Sequence, residues 1–122
     1  MKRLLWFVPA LLWALVIFTL GSIPSLTPPV DLPLDKLGHF GMFAVLGALL
    51  AWGLHRARVR ASLAWPLIAG MLVGAIDEWH QRTVPGRSSD VMDLVADVAG
   101  CALALWLTHH LLERRDTGKT SA

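Results

Sequence analysis

Residues 4–20 run without a single charge, and three further apolar stretches follow at about 37–54, 61–76 and 91–112. Each approaches the ~20 residues an α-helix needs to cross hydrocarbon, given some thinning or snorkelling. His39 alone interrupts the second stretch. Pro66 lies in the opening turns of the third, where a missing N–H matters least. The spacing predicts an all-α polytopic membrane protein: one four-helix transmembrane domain over residues 1–114 and a short flexible tail over 115–122. A chain of 122 residues that is 55% hydrophobic has no room for a second domain.

Lys2 and Arg3 before an apolar run also open a signal peptide. This run is long for that role, and the following GSIPSLTPP offers no A-x-A cleavage site. An uncleaved first span is expected.

The loops orient the spans. Lys2 and Arg3, then Arg56, Arg58 and Arg60, then Arg114, Arg115 and Lys119 share one side. Lys36, Arg82 and Arg87 are the basic residues of the other. The positive-inside rule puts both termini in the cytoplasm of a multi-pass inner-membrane protein. The basic residues form no patch, so no nucleic-acid partner is expected; the partner the composition demands is the bilayer. Cys101 is the sole cysteine and sits in an apolar run, where it reads as small core filler. Small residues at four-residue spacing (Gly70 and Gly74; Gly47 and Ala51; Ala96, Gly100 and Ala104) read as close helix contacts within one chain.

All acids except Glu113 and Asp116 gather at the end away from the basic loops. Three segments contribute: Asp35, Lys36 and His39 entering the second helix; Asp77, Glu78, His80 and Gln81 leaving the third; Arg87, Asp90, Asp93 and Asp97 entering the fourth. Asp90, Asp93 and Asp97 follow i, i+3, i+7, which stacks them within roughly a 60° arc. Charge at membrane depth is costly, by about 2.5–3.5 kcal/mol per central residue on insertion scales, and by default marks function.

Plain structural readings compete. Pro85-Gly86 is a turn signal, Ser88 or Ser89 suits an N-cap, Asp90 suits capping or compensation of the helix dipole, and Asp93 suits the first turn of that dipole. Asp97 lies roughly 12 Å below such a cap and needs a partner or a proton; Arg87, Lys36 and His39 are the candidates. No H-x-x-x-H or H-E-x-x-H motif and no nucleotide loop occurs, so no cofactor is expected. A divalent metal would need ligands from different helices, drawn from His39, Glu78, His80, Asp93 and Asp97.

The blocks DKLGHFGMF (35–43), DEWHQRTVPGR (77–87) and DVMDLVADVAG (90–100) stand in order with suitable gaps. Together they resemble the VanZ-like family of small bacterial membrane proteins. The resemblance implies an inner-membrane bundle of about four helices and an association with tolerance of the glycopeptide teicoplanin. It implies no reaction. The family's motif positions would fall on Asp35, Lys36, His39, Phe40, Glu78, Gln81, Arg87, Asp93 and Gly100, and the family often has Asn where this chain has Asp97.

Two functional classes follow. In the first, the polar pocket binds a cell-envelope lipid or precursor headgroup, or a partner protein, through Lys36, His39, Gln81, Arg87, Asp93 and Asp97, with Lys36 and Arg87 on phosphate. In the alternative, a membrane enzyme acts on a phospholipid or polyprenyl-linked substrate, with Glu78 or Asp93 as base and His39 as its partner. Transport is a poor fit for four short helices without inverted repeats.

Overall fold

The computed structural model describes residues 2–24, 33–60 and 62–120. The expected first residue of the third span and the last two of the tail lie outside them, as does most of the stretch after the first span. The described residues form four α-helices and no strand: α1 (Val8–Gly21, led in by a 3-10 turn over Leu4–Phe7), α2 (Pro33–Ala57), α3 (Ala64–Gln81) and α4 (Val91–Thr120).

Leu4–Gly21, Pro33–Ala57 and Val91–Lys119 are long and apolar enough to cross a membrane. α3 is not among these three. It continues past Ile76 through Asp77, Glu78 and His80 to Gln81, so its polar end is helical and not loop. The apolar part, 64–76, measures about 20 Å at 1.5 Å per residue, against ~30 Å of hydrocarbon. α3 can cross only with its acids close to the apolar layer. At the other end of the chain, where a flexible tail was expected from residue 115, α4 remains helical to Thr120.

α2 and α4 form the longest helix pair and run in the same chain direction. Contacts from Lys36 to Asp93, His39 to Asp97 and His55 to Asp116 step down both helices together. Backbone meets backbone here. A Cβ on Gly47 would strike the Cys101 carbonyl, and one on Gly100 would strike that of Phe40. A Cβ on Gly70 would meet the Cys101 sulfur. The glycines named from spacing do pack within one chain, and Cys101 is buried apolar filler.

α1 lies across α2 and α3. The Trp13 indole donates to the Met42 carbonyl (2.9 Å), and Ala10 and Ile17 join Phe43, Leu46 and Cys101 in the apolar core. Leu11, Leu12, Leu15, Leu72, Val95 and Leu103 face outward, which suits lipid and not water. At the basic end the Arg56 guanidinium lies 4.4 Å above the Trp6 ring, a cation–π pair of the kind that sits at an interface.

Candidate functional site

The polar end is assembled by a turn. Pro85 and Gly86 occupy the middle of a tight reversal in which the Arg87 N–H donates to the Val84 carbonyl (3.1 Å). Gly86 has φ +75°, the value of the third residue of a type II turn, where a side chain would be strained. The reversal brings the end of α3 beside the start of α4.

Of the residues offered as caps, Asp90 and not Ser88 or Ser89 caps α4: its Oδ1 accepts the Met92 N–H (3.0 Å). Ser89 serves the site instead. Its hydroxyl donates to Glu78 Oε2 (2.9 Å) and accepts from Arg82 Nε (3.2 Å), linking Arg82 to Glu78 through one oxygen.

The two cations assigned to phosphate are engaged within the chain. Lys36 Nζ donates to Asp90 Oδ2 and Asp93 Oδ1, both at 3.1 Å. The lysine and the capping N–H hold the Asp90 carboxyl below its ordinary value of 3.8, with the backbone bond the larger cause. Arg87 turns away from the aspartates and donates to the carbonyls of Ile23 (3.1 Å) and Leu20 (3.0 Å), at the C-terminus of α1. Both carbonyls lie at the negative end of α1, and that of Leu20, which also accepts the Ile23 N–H (3.2 Å), has a second lone pair for the guanidinium. Two of the five arginine N–H groups are used this way.

Asp77, Glu78, Gln81, Asp93 and Asp97 are buried, and Asp97 is wholly inaccessible. His39 is the hub. Its Nδ1 lies 2.9 Å from Asp97 Oδ1 and 3.9 Å from Glu78 Oε1. It also shares a second cluster with Asp35 and Asp93. Asp97 therefore takes His39, of the three partners its depth allowed. Asp77, given no role from the sequence, accepts from Gln81 Nε2 (2.8 Å) one helical turn on.

Above this cluster opens a pocket of about 200 Å³, walled by His39, Asp77, Gln81 and Arg87 and by apolar residues of α1 and α2 such as Ile17 and Met42. Gly21 makes room beside it, since a Cβ there would stand 2.8 Å from Asp77 Oδ1.

His80 stands apart from the cluster. Its Nε2 bonds to the Ser22 hydroxyl (2.8 Å), which itself donates to the Phe18 carbonyl, so His80 tethers the end of α1. The i,i+2 offset from Glu78 on a continuous helix turns the two side chains to different faces. Ser22 and Gly21 were missed from the sequence, as were the links of Ser89 and Arg82 to Glu78. No periodicity marks them, because each acts across a turn or from another helix.

The profile of the VanZ/LLP1 family matches residues 3–112. A fission yeast (Schizosaccharomyces pombe) protein described as uncharacterized protein C11E3.10 is 34% identical over 96 residues. That alignment takes in 79% of this chain and 57% of the yeast protein, so the chain spans little more than half the length of that relative. No solved structure matches the chain.

Proposed function

The chain belongs to the VanZ/LLP1 family, and from that premise we propose that its polar pocket receives the phosphate-bearing headgroup of a membrane lipid and performs acid–base chemistry on it. The pairing of His39 with buried Asp97 beneath an open pocket carries this reading. An ionised Asp97 requires a proton on Nδ1. It orients the ring and leaves Nε2 as the nitrogen that exchanges a proton with a bound group. Glu78, held in place by Ser89, lies 3.9 Å from His39 Nδ1 and supports the charge the ring takes up. Arg87, at the pocket wall, has N–H groups beyond the two bonded to α1 and suits a headgroup phosphate.

Recognition without chemistry, built on Lys36 and Arg87, finds less support. Lys36 is bonded to two aspartates, and a plain anion receptor would not bury several carboxylates beside its ligand. The site would lie on the extracytoplasmic side of an inner membrane, with both termini inside. A relative in fission yeast, 34% identical over 96 residues, suits a substrate class that many kinds of cell share, such as phospholipids or polyprenyl-linked phosphates.

The test is release of phosphate or headgroup from a panel of phospholipids and polyprenyl phosphates by protein in proteoliposomes. Wild type should turn over at least one class, His39→Gln and Asp97→Asn should lose turnover by at least ~10²-fold, and Arg87→Ala should mainly raise KM. Retention of intact lipid with no turnover of any class would return the protein to a headgroup receptor.

A further inference from the structure

Among the described residues, three buried side-chain polar atoms find no hydrogen-bond partner: Asp77 Oδ1, Glu78 Oε1 and Asp97 Oδ2. All are carboxylate oxygens, and all belong to the cluster around His39. Each of these acids receives one side-chain bond, from Gln81, Ser89 and His39 respectively. None has a lysine or arginine nitrogen within ion-pair distance among the described residues; the lysine at this end pairs with Asp90 and Asp93. Buried carboxylates with so few donors call for a proton or a cation.

The geometry points to a cation, and we infer that His39, Glu78 and Asp97 form a divalent-metal site. Their ligand atoms, one from each of α2, α3 and α4, all lie within 4.8 Å of one another. Two of the spacings, 2.9 Å and 3.9 Å, bracket the ~3.0–3.4 Å between neighbouring ligands set about 2.1 Å from one ion. Gly74 leaves clearance beside the unpartnered Asp97 Oδ2, where a Cβ would stand 3.3 Å away. One imidazole with two carboxylates suits Mn²⁺ or Zn²⁺ better than Ca²⁺, which prefers an all-oxygen shell.

These are three of the five ligands the sequence suggested. The other two, His80 and Asp93, are engaged elsewhere, by Ser22 and Lys36. The inference rests on the lipid-headgroup reading for its catalytic consequence. A dication there would draw a phosphate towards an acidic pocket that otherwise repels it. With metal bound, Nδ1 ligates and no longer donates to Asp97.

The binding itself is tested with the metal alone. Full-length protein in detergent, stripped with chelator, is titrated with Mn²⁺ by electron paramagnetic resonance. One ion per chain is expected, weakened at least ~10-fold in Glu78→Gln and in Asp97→Asn, and unchanged in His109→Ala, which breaks up the group of half-buried His109 with His110 and Glu113 at the basic end, a competing place for an ion. Absence of binding, or binding that ignores Glu78 and Asp97, overturns the site. Lipid turnover that persists in stripped protein also overturns it, while leaving the functional reading intact. Stoichiometric Mn²⁺ with no turnover of any lipid upholds the site and sinks the functional reading.

Discussion

At the scale of single residues, glycines and carboxylates do opposite work. Gly100 and Gly47 let α2 and α4 touch through their backbones, and any Cβ there collides with a carbonyl that cannot swing aside. Gly100→Ala should therefore destabilise by about 1–3 kcal/mol, read as a lower Tm in detergent. Gly41→Ala, with nothing within 4 Å of the new methyl, should be neutral or slightly stabilising, since alanine is the better helix former, and serves as the control. A Tm for Gly100→Ala no lower than that for Gly41→Ala would mean that the crossing does not constrain Gly100. The spacing of small residues made this contact legible in the sequence, since backbone approach needs the same residue types at the same period in any bundle. The bonding of His39 to Asp97 was legible only as one of three pairings, because their separation in sequence says nothing of which helices adjoin.

At the scale of elements, α4 begins at a cap that also anchors α2. Asp90 accepts the Met92 N–H and pairs with Lys36, and both interactions favour its ionised form. Its carboxyl in the folded protein titrates below the unfolded value. The stability it contributes is thus fully present above about pH 4 and is lost as pH falls through the lower, folded value. Asp90→Ala should lower Tm at neutral pH and weaken the acid dependence below pH ~4; an unchanged acid limb would assign that loss to other carboxylates. The sequence located this turn through Pro85-Gly86 but left Ser88, Ser89 and Asp90 all open as caps. Which of three adjacent polar residues caps a helix depends on the turn's geometry, and here the reversal hands Ser89 to Glu78. The boundary of α3 was misread for a related reason. Hydropathy marks where apolar residues stop, whereas hydrogen bonding carries the helix one turn further, to Gln81.

At the scale of the whole molecule, the chain is bipolar: arginines and a cation–π pair at one end, buried acids at the other. If the basic end is cytoplasmic, a Cys101→Ala background carrying Thr83→Cys should react with an impermeant maleimide from outside intact cells. The same background with Arg60→Cys should react only after permeabilisation. Reversed labelling would put the pocket on the cytoplasmic side and end the account of an extracytoplasmic substrate. The bundle and its polarity could be read from the sequence, because apolar length and loop charge act locally. The pocket could not, since it is a gap between α1 and α2 bounded by residues from several separate segments.

The central claim is that the buried acids are kept for function at the expense of stability. Thermal unfolding of Glu78→Gln and Asp97→Asn, stripped with chelator like the wild type and compared in one detergent at neutral pH, tests it directly. Each substitution keeps the shape and a hydrogen-bonding oxygen while removing a charge that has no lysine or arginine within reach among the described residues. The account predicts Tm values at or above wild type in both. A structural ion pair predicts the reverse: a loss of about 3–5 kcal/mol for a broken buried pair, and a drop in Tm of ten degrees or more, roughly. That result would make the cluster scaffolding and contradict the account.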